Sequence, residues 1–299
     1  MKYTVVIVTY NRLGLLKECL QCIENQVLGF DNVVIVDNKS TDGTSEYLKK
    51  YVDKYDVLFE EVNGGGAKGF KDGVEYAYNN LETDYILLID DDAMLSTDYL
   101  QLIDYAIKNN PDCYAFSGTV ITDEKIDLTH RKRLSKGLRF DMVPIPVHQY
   151  NADSFEYDLS TFCGLFFKKD LIKHIGFPKD EYFIWFDDTE YSLRIRRHTK
   201  IMNINKAVIN HKTKLPSPNS PLSWKGYYGI RNNGDVIMRY GTRINLLFFK
   251  LTVYRACLKE YICFLFTNDV KFKYNSKLYV NALRDLKNKK FGFNTQYHP

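Results

Sequence analysis

The stretch YILLIDDDAML, Tyr85 to Leu95, runs an apolar segment directly into three consecutive aspartates. Such a nearly continuous apolar run is typical of a strand covered on both faces of a sheet. Three adjacent carboxylates repel one another, and a solvated strand end or a helix cap accounts for only one or two acids. A divalent cation removes that repulsion, so Asp90, Asp91 and Asp92 predict a site for Mg²⁺ or Mn²⁺.

Strand-like and helix-like segments alternate before and through this stretch. The strands are YTVVIVTY, NVVIVDN, VLFEEVN and DYILLID, and the helices are LGLLKECLQCIENQ, TDGTSEYLKKYVDKY and AKGFKDGVEYAYNN. This βαβαβαβ order predicts an α/β fold with an open, mostly parallel sheet, whose ligands bind beyond the carboxyl ends of the strands. Polar residues follow all four strands: Thr9 to Arg12, Asp37 and Asn38, Asn63 and Gly64, and Asp90 to Asp92.

The second half of the chain offers a second acidic pair. Asp187 and Asp188 open a predicted helix in EYFIWFDDTEYSLRIRRHTK, and the strand IMNINKAVINHK ends at His211. Acids in a first helical turn also serve as simple partners of the helix dipole. The basic, turn-like segment His130–Asp141 predicts a loop, as does the Pro/Ser-rich segment Leu215–Ser223.

The composition restricts the class of protein. With 45% hydrophobic and 26% charged residues among 299, wholesale disorder is excluded. The six cysteines lack regular spacing, and the single C-x-x-C pair, Cys19 and Cys22, has no second pair to complete a zinc site, which favours buried thiols. Together with an N-terminus unlike a signal peptide, this predicts a reducing cytoplasm.

The C-terminal region differs in charge from the rest of the chain. From Arg243 onward it has eleven Lys/Arg against three Asp/Glu, whereas the preceding residues are net negative. Within it, Ile244–Phe266 has apolar residues at helical spacing, interrupted by charges, which predicts a long amphipathic helix. Two interpretations stay open: the helix lies on an anionic membrane surface, or it packs on the domain or on another subunit as a homo-oligomer contact.

The glycine-rich segment NGGGAKG raises a competing interpretation. Gly64, Gly66 and Gly69 match G-x-G-x-x-G, the fingerprint of dinucleotide binding. That fingerprint normally follows the first strand, and here it follows the third. A Walker motif is excluded because Phe70 stands where its Lys is required. The glycines instead favour close approach of the backbone to a nucleotide or sugar.

Five segments occur here in a familiar order: VVIVTYNR, VVIVDNKSTDGT, NGGGAKGF, LIDDDA and WFDDTEYSLR. Over roughly residues 2–240 the chain resembles family 2 inverting glycosyltransferases of the GT-A fold, most closely bacterial galactofuranosyltransferases and rhamnosyltransferases. The resemblance implies a GT-A domain over residues 1–240, with a mostly parallel central sheet flanked by helices, followed by a basic amphipathic helical region over residues 241–299.

The resemblance also implies roles for individual residues. The catalytic residues would be Asp188 as the base and Asp187 as its neighbour, orienting the acceptor or the base. The donor nucleotide would be held by Thr9, Tyr10, Arg12, Asp37, Asn63, Gly64, Gly65, Lys68, Asp90 and Asp91. The metal, Mn²⁺ or Mg²⁺, would be held by Asp90, Asp92 and His211. The acceptor or diphosphate would meet Trp185, Phe186, Tyr228 and Arg231, although Trp185 and Phe186 could equally belong to the core.

The implied activity is metal-dependent transfer of a hexose from a nucleotide sugar to a hydroxyl of a cell-surface polysaccharide precursor. UDP-galactofuranose is the favoured donor and dTDP-rhamnose the alternative. The acceptor is expected to be lipid-linked, with the enzyme peripheral at the inner face of the bacterial membrane. Inverting transfer needs a carboxylate that accepts the acceptor's proton and a separate source of charge for the departing diphosphate. The two acidic clusters fit those two requirements.

Two other functions are less consistent with the sequence. A sugar-phosphate nucleotidyltransferase would carry a Gly-rich, basic loop after the first strand, where TYNRLG stands instead. A non-catalytic nucleic-acid-binding protein could use the basic tail, but the acidic rim of the sheet would repel phosphates. Nucleic acid is therefore not an expected partner.

Overall fold

The computed structural model describes residues 1–135, 137–213 and 222–298. Its strands are β1 (Tyr3–Thr9), β2 (Asn32–Asp37), β3 (Asp56–Phe59), β4 (Tyr85–Asp90), β5 (Ala93–Leu95), β6 (Ala115–Thr122), β7 (Lys125–Ile126), β8 (Arg131–Leu134), β9 (Met142–Pro144), β10 (Ser154–Tyr157), β11 (Leu159–Ser160), β12 (Leu165–Lys168) and β13 (Ile201–His211). Its α-helices are α1 (Leu13–Glu24), α2 (Thr44–Leu48), α3 (Gly65–Asn80), α4 (Tyr99–Asn109), α5 (Ile172–Ile175), α6 (Asp187–Ile195), α7 (Lys225–Tyr240), α8 (Arg243–Thr267) and α9 (Val270–Lys287). Short 3₁₀ turns lie at Val147–Asn151, Lys169–Leu171 and Asp180–Tyr182.

The main sheet has the strand order β10-β13-β6-β12-β4-β1-β2-β3. Strands β3, β2, β1 and β4 are mutually parallel, while β12 runs antiparallel between β4 and β6. Thr9 pairs with Asp37, and Val8 pairs with Asp90, so three strands end at one level. The predicted α/β fold with a mostly parallel sheet is therefore confirmed, and its polar strand ends meet at one edge.

Burial on both faces explains the apolar runs. On β1, Val5 and Ile7 belong to the core beneath α1 and α4, whereas Val6 and Val8 belong to the core beneath α3 and α5. All seven residues of β1 are buried. Since neighbouring side chains point to opposite faces, a strand covered on both sides requires apolar residues at nearly every position.

Two segments differ from the sequence-based prediction. The helix predicted over TDGTSEYLKKYVDKY is confined to α2, because the chain then turns and buries Tyr55, whose hydroxyl bonds to Glu24 of α1. The predicted loop His130–Asp141 instead contains β8, which pairs with β9 in a small separate sheet. The predicted Pro/Ser-rich loop Leu215–Ser223 lies mostly outside the described residues.

The C-terminal helices pack back onto the sheet domain. The predicted long helix is confirmed as α8, which begins with a capping box between Thr242 and Asn245. Tyr227 of α7 donates its hydroxyl to Asp285 of α9 at 2.6 Å. In the described ranges, no helix is both long enough and apolar enough to cross a bilayer. The division of the chain at residue 240 stays a prediction.

Candidate active site

A cavity of about 230 Å³ opens at the carboxyl ends of β1 and β4. Seven of the residues predicted to hold a donor line it: Thr9, Tyr10, Arg12, Asn63, Gly65, Asp90 and Asp91. Its other lining residues are Val8, Asn38, Gly66, Phe183, Ile184, Trp224 and Lys225. The parallel register of the strands brings these segments together, although they lie far apart in the sequence.

A larger groove of about 890 Å³ lies at the amino end of β13 and lacks comparable chemistry. Two of its cations are already paired, Arg196 with Asp158 at 2.6 Å and Lys200 with Glu156 at 2.6 Å. The smaller cavity is lined by Asp90 and Asp91 of the acidic strand end, and we therefore assign the site to it.

The three aspartates have different partners. Asp91 accepts a hydrogen bond from the Thr9 hydroxyl at 2.7 Å and contacts Arg12 Nη1 at 3.2 Å. Asp92 accepts from the same Arg12 nitrogen at 2.5 Å. Both carboxylates are at least 95% buried, so Arg12 supplies the charge that makes their burial tolerable.

The other carboxylate oxygen of Asp92, Oδ1, does not bond to Arg12. It lies 3.2 Å from Nε2 of His211 and has no hydrogen-bond partner among the described residues. That contact is an ion pair only when His211 is protonated, and otherwise a buried carboxylate oxygen without a hydrogen bond costs about 1–3 kcal/mol. A carboxylate oxygen beside an imidazole nitrogen is a ligand pair for Mn²⁺ or a similar divalent ion. The residues present therefore fit a metal, and Asp92 and His211 are its best-placed ligands.

The electrostatics of the cluster also favour a bound cation. Burial, followed by repulsion from Asp92, raises the pKa of Asp90 to about 7. Burial raises the pKa of Asp91 to about 6 despite Thr9 and Arg12. Burial acts in the same direction on Asp92, but His211 and Arg12 outweigh it, so the pKa of Asp92 is lowered. Burial alone would lower the pKa of His211. The negative charge of Asp92 outweighs this effect, so the pKa of His211 is raised above its normal value.

The second acidic pair starts α6 close to this cluster. Asp187 is 6% exposed, and its pKa is raised well above normal by burial and then by Asp188, with a further contribution from Asp90. Burial also raises the pKa of Asp188, opposed by the Thr189 backbone N–H at 2.5 Å and by the charge of Lys132. A carboxylate with a raised pKa is a stronger base than an ordinary one.

The segment before this pair has an unusual backbone. Phe183, Trp185 and Phe186 have φ values of 66°, 64° and 70°, in the left-handed region that bulky residues avoid. The side-chain amide of Asn232, which is fully buried, donates to the carbonyls of Tyr182 at 3.0 Å, Ile184 at 3.0 Å and Trp185 at 2.9 Å. Asn232 thus fixes the strained turn that delivers Asp187 and Asp188.

The glycine loop packs against the same turn. Gly65 has φ +78°, and a Cβ added there would lie 2.0 Å from the Phe183 carbonyl oxygen. The Ala67 N–H donates to that oxygen at 3.2 Å. The adjacent Gly66 has open space around it. Of these two glycines, only Gly65 is therefore required by the contact between the glycine-rich loop and the turn before Asp187.

Lys225 was not predicted from the sequence. It is the first residue of α7 and lines the cavity with Asp90 and Arg12. Burial and then repulsion from Arg12 lower its pKa, against the attraction of Asp90 and Asp92. A lysine at the beginning of a helix is not a sequence signal by itself, because only the fold brings α7 to the strand ends.

His130 and Asp127 were also missed. The rings of His130 and His211 meet edge to face with centroids 5.1 Å apart. His130 Nε2 lies 3.3 Å from Asp127 Oδ2, and its Nδ1 lies 2.6 Å from Thr161 Oγ1. One ligand atom from each of Asp127, His130 and His211 falls within 4.8 Å of the others. Since both nitrogens of His130 have partners, its contact with His211 is better suited to orienting that ring.

Three predicted donor residues do not line the cavity. Asp37 is buried and accepts hydrogen bonds from Ser40 and Ser45. Gly64 donates its N–H to Asn38 Oδ1 at 3.0 Å. Lys68 forms ion pairs with Glu60 and Asp72. Their predicted direct contact with the donor has no support in this geometry, because each polar group is already engaged elsewhere.

Two predicted acceptor residues have structural partners instead. Arg231 is 1% exposed and donates to the carbonyls of Gly292 at 2.9 Å and Tyr182 at 3.1 Å. Tyr228 is fully buried and donates to the carbonyl of Tyr297 at 2.8 Å. Both hold the C-terminal segment in place, and neither lines the cavity. Trp185 is 45% exposed, whereas Phe186 packs partly into the core.

Curated relatives are similar in sequence to parts of this chain. The poly(ribitol-phosphate) beta-glucosyltransferase of Bacillus spizizenii is 33% identical over 106 residues, which is 33% of this chain and 16% of the relative. The minor teichoic acid biosynthesis protein GgaB of Bacillus subtilis is 25% identical over 246 residues, 79% of this chain and 24% of the relative. The chain thus spans less than a quarter of the length of either protein.

Solved structures share the fold. S. aureus TarS 1-349 in complex with UDP-GlcNAc has a TM-score of 0.61 at 18% identity, covering 96% of this chain and 80% of that one. GalNAc-T7 with UDP, GalNAc and Mn²⁺ has a TM-score of 0.66 at 13% identity, covering 97% and 56%. The family model described as "Glycosyl transferase family 2" matches residues 4–175. With its GT-A fold, the chain belongs to glycosyltransferase family 2.

Proposed function

We propose that this chain is a metal-dependent, inverting hexosyltransferase that acts in the synthesis of a bacterial cell-surface polymer. The observation that carries this proposal is the presence of two separate acidic groups, Asp90–Asp92 at the end of β4 and Asp187–Asp188 at the start of α6, whose charges interact. Asp92, with its unsatisfied oxygen beside His211, provides a metal site. Asp188, at the start of α6, provides a base with a raised pKa.

Asp188 would act on the acceptor. Its carboxylate accepts the proton of the acceptor hydroxyl while that oxygen attacks the anomeric carbon from the face opposite the nucleotide. The new C–O bond forms as the bond to the diphosphate breaks, and the configuration inverts. The raised pKa of Asp188 makes this carboxylate a stronger base than an ordinary one. Asp187 and the turn held by Asn232 would fix the orientation of the Asp188 side chain relative to the acceptor hydroxyl.

The diphosphate leaving group needs positive charge. A divalent ion held by Asp92 and His211, with Asp90 alongside, would supply that charge as a Lewis acid when bound. Lys225 adds a second positive group to the cavity lining. Burial lowers the pKa of Lys225, and a dianionic diphosphate beside it would raise that pKa again.

The donor is proposed to be a UDP-sugar. A UDP-sugar, UDP-GlcNAc, occupies one structural relative, and a glucosyltransferase is among the curated relatives. Because the sequence resembles galactofuranosyltransferases, UDP-galactofuranose remains one of the proposed donors, with dTDP-rhamnose as its alternative. Asn38 and Asn63, which line the cavity beside the glycine loop, are positioned to contact the nucleotide.

The acceptor is proposed to be a growing wall polymer or its lipid-linked precursor. Both curated relatives described above have teichoic acid or poly(ribitol-phosphate) in their names. A lipid-linked acceptor would place the reaction at the inner face of the membrane, with the enzyme bound peripherally. The half-exposed Trp185, next to the base-bearing helix, could then stack against an acceptor sugar.

The test is donor hydrolysis and thermal stabilisation against UDP-glucose, UDP-GlcNAc, UDP-galactofuranose and dTDP-rhamnose, each with Mn²⁺ and with a chelator. We expect metal-dependent stabilisation by at least one UDP-sugar and by UDP alone. A response to dTDP-rhamnose only would keep the reaction and overturn the UDP-sugar donor. The absence of any response to all four, with the protein folded, would contradict the proposed activity.

A further inference from the structure

Helix α8 has an exposed apolar stripe that the catalytic site does not use. Seven of its residues repeat alternately every three and four positions and are each 46–59% exposed: Ile244, Leu247, Leu251, Tyr254, Leu258, Tyr261 and Leu265. Ile262 and Phe266 widen the stripe near its end, and Phe266 is 87% exposed. At 1.5 Å per residue the stripe is about 32 Å long. A continuous exposed apolar patch of this size marks a contact surface.

The opposite face of α8 is already occupied. Asn245 and Val253 are buried against the rest of the chain, and the Cys257 thiol bonds to the Ser276 carbonyl of α9 at 3.5 Å. Glu260, the single acidic residue of α8, accepts from Asn275 of α9 at 2.8 Å. The fold is therefore complete without the stripe, which faces away from the packed side.

The charges beside the stripe indicate its partner. Successive residues advance about 100° around a helix. This places Arg243 and Lys250 along one edge of the stripe and Arg255 and Lys259 along the other, all four exposed. An apolar band with cations on both edges is typical of a helix lying in the interface of an anionic bilayer, where the long side chains reach the headgroups.

A second copy of the chain fits this surface less well. Alternate spacings of three and four also occur in coiled coils. In a parallel pairing along the stripe, Lys250 of one helix would face Arg255 of the other. An antiparallel pairing would still leave the cations without acidic partners, because Glu260 is turned inward. Anionic lipid headgroups neutralise every one of these charges.

One hairpin lies between the surroundings of Asp188 and the start of the stripe. The charge of Lys132 on β8 reaches Asp188. At the far end of the hairpin that β8 and β9 form, the carbonyl of Leu138 accepts from Asn245 of α8 at 2.8 Å, and Leu138 itself is 64% exposed. The hairpin thus connects the surroundings of Asp188 with the first turn of the stripe.

We propose that the exposed stripe of α8, with its flanking cations, is the surface by which this protein docks on an anionic membrane. Given the proposed function, docking there would bring the base toward a lipid-linked acceptor. The docking itself does not depend on catalysis, so the two proposals fail separately.

The experiment measures co-sedimentation of the full chain with vesicles of phosphatidylcholine containing roughly one-third phosphatidylglycerol, and with pure phosphatidylcholine. We expect binding to the anionic vesicles that weakens between about 0.1 and 0.5 M salt. The double variant L251E/L258E should bind at least about tenfold more weakly. The matched control V27E/V52E changes two equally exposed valines of the sheet domain and should bind as the wild type does.

A second pair of variants tests the charges. R255Q/K259Q should lose about as much binding as high salt removes, whereas K49Q/K50Q, on exposed lysines near α2, should not. Metal-dependent donor hydrolysis and thermal unfolding should be unchanged in all four variants, because the changed residues are all exposed and none of them lines the cavity. The proposal would be overturned if the wild-type protein failed to bind anionic vesicles, or if L251E/L258E bound them as strongly as the wild type. Sedimentation of the wild type as a dimer that L251E/L258E dissociates would also overturn it, since the stripe would then belong to a second copy.

Discussion

The Oδ1 atom of Asp92 lies 3.2 Å from Nε2 of His211, and no described residue donates a hydrogen bond to it. The other oxygen of Asp92 is held by Arg12. This arrangement points one free oxygen at one imidazole nitrogen inside a buried acidic cluster. A divalent ion between them would satisfy both atoms and reduce the repulsion among the aspartates.

Replacing Asp92 by Asn should abolish stabilisation by Mn²⁺, because the variant loses the charged ligand oxygen. We expect the metal-dependent shift in melting temperature to disappear, along with metal-dependent binding of UDP. Asp53→Asn, at an exposed turn, is the control and should keep the full shift. Normal Mn²⁺ stabilisation of the Asp92 variant would remove Asp92 from the metal site.

Metal affinity should increase as pH rises from about 5.5 to 7.5. Asp90 and Asp91 have pKa values raised to about 7 and 6, and the pKa of His211 is also raised, so all three carry protons at the acidic end. Metal binding displaces those protons, which gives up to about a tenfold change per pH unit for each proton released. Calorimetric titration with Mn²⁺ in buffers of different ionisation enthalpy would measure the release. An affinity that is flat over this range would contradict the assigned ligands.

Replacing Asp188 by Asn should leave donor binding intact and remove transfer. The side chain keeps its shape but can no longer accept the acceptor's proton, so kcat should fall about 10²- to 10⁴-fold. Titration with UDP followed by thermal unfolding reports binding, and acceptor-dependent release of UDP reports transfer. Transfer at the wild-type rate by the Asp188 variant would show that another group is the base.

Lys225→Met should weaken donor binding, since it removes a cation from the cavity wall. Loss of a hydrogen bond to a charged group costs about 1.5–3 kcal/mol, which corresponds to roughly 10- to 150-fold in affinity. Lys225→Arg should keep most of the affinity for the donor, because it retains the positive charge. Lys50→Met, on an exposed surface, is the control. An effect on stability without any effect on UDP binding would assign Lys225 a structural role only.

Gly65→Ala should destabilise the protein, whereas Gly66→Ala should not. The added Cβ at Gly65 would meet the Phe183 carbonyl at 2.0 Å in a backbone conformation with φ +78°, but the one at Gly66 meets open space. We expect a loss of about 1–3 kcal/mol for Gly65→Ala and a gain of about 0.4–1 kcal/mol for Gly66→Ala. Urea unfolding of the pair measures the difference, and equal stabilities would show that the loop can move away from Phe183.

Much of the fold could be read from the local pattern. The apolar run before Asp90 predicts a strand buried on both faces, and β4 is such a strand. The alternation of strands and helices predicts a parallel sheet, whose geometry then aligns the strand ends. The spacing of Leu247 and Leu251 predicts a helix where α8 stands. These inferences succeed because periodicity and strand order are properties of neighbouring residues.

The partners of individual side chains could not be read in this way. Arg231 and Tyr228 were expected at the diphosphate, yet they hold the C-terminal segment. Lys225 gave no sequence signal, yet it lines the cavity. A long side chain near a site has several polar groups within reach. Which of them it bonds to depends on the distant segments that the fold brings beside it.

The sequence by itself determined the sheet, the acidic strand end and the family, because these depend on local periodicity and on motifs in a fixed order. Tertiary structure decided that the free oxygen of Asp92 faces His211 and that Asn232 holds the turn before Asp187. It also decided that α8 leaves one apolar face exposed. The reason is physical: each of these features is a contact, or the lack of one, between segments far apart in the chain, and it exists only after packing has placed them together.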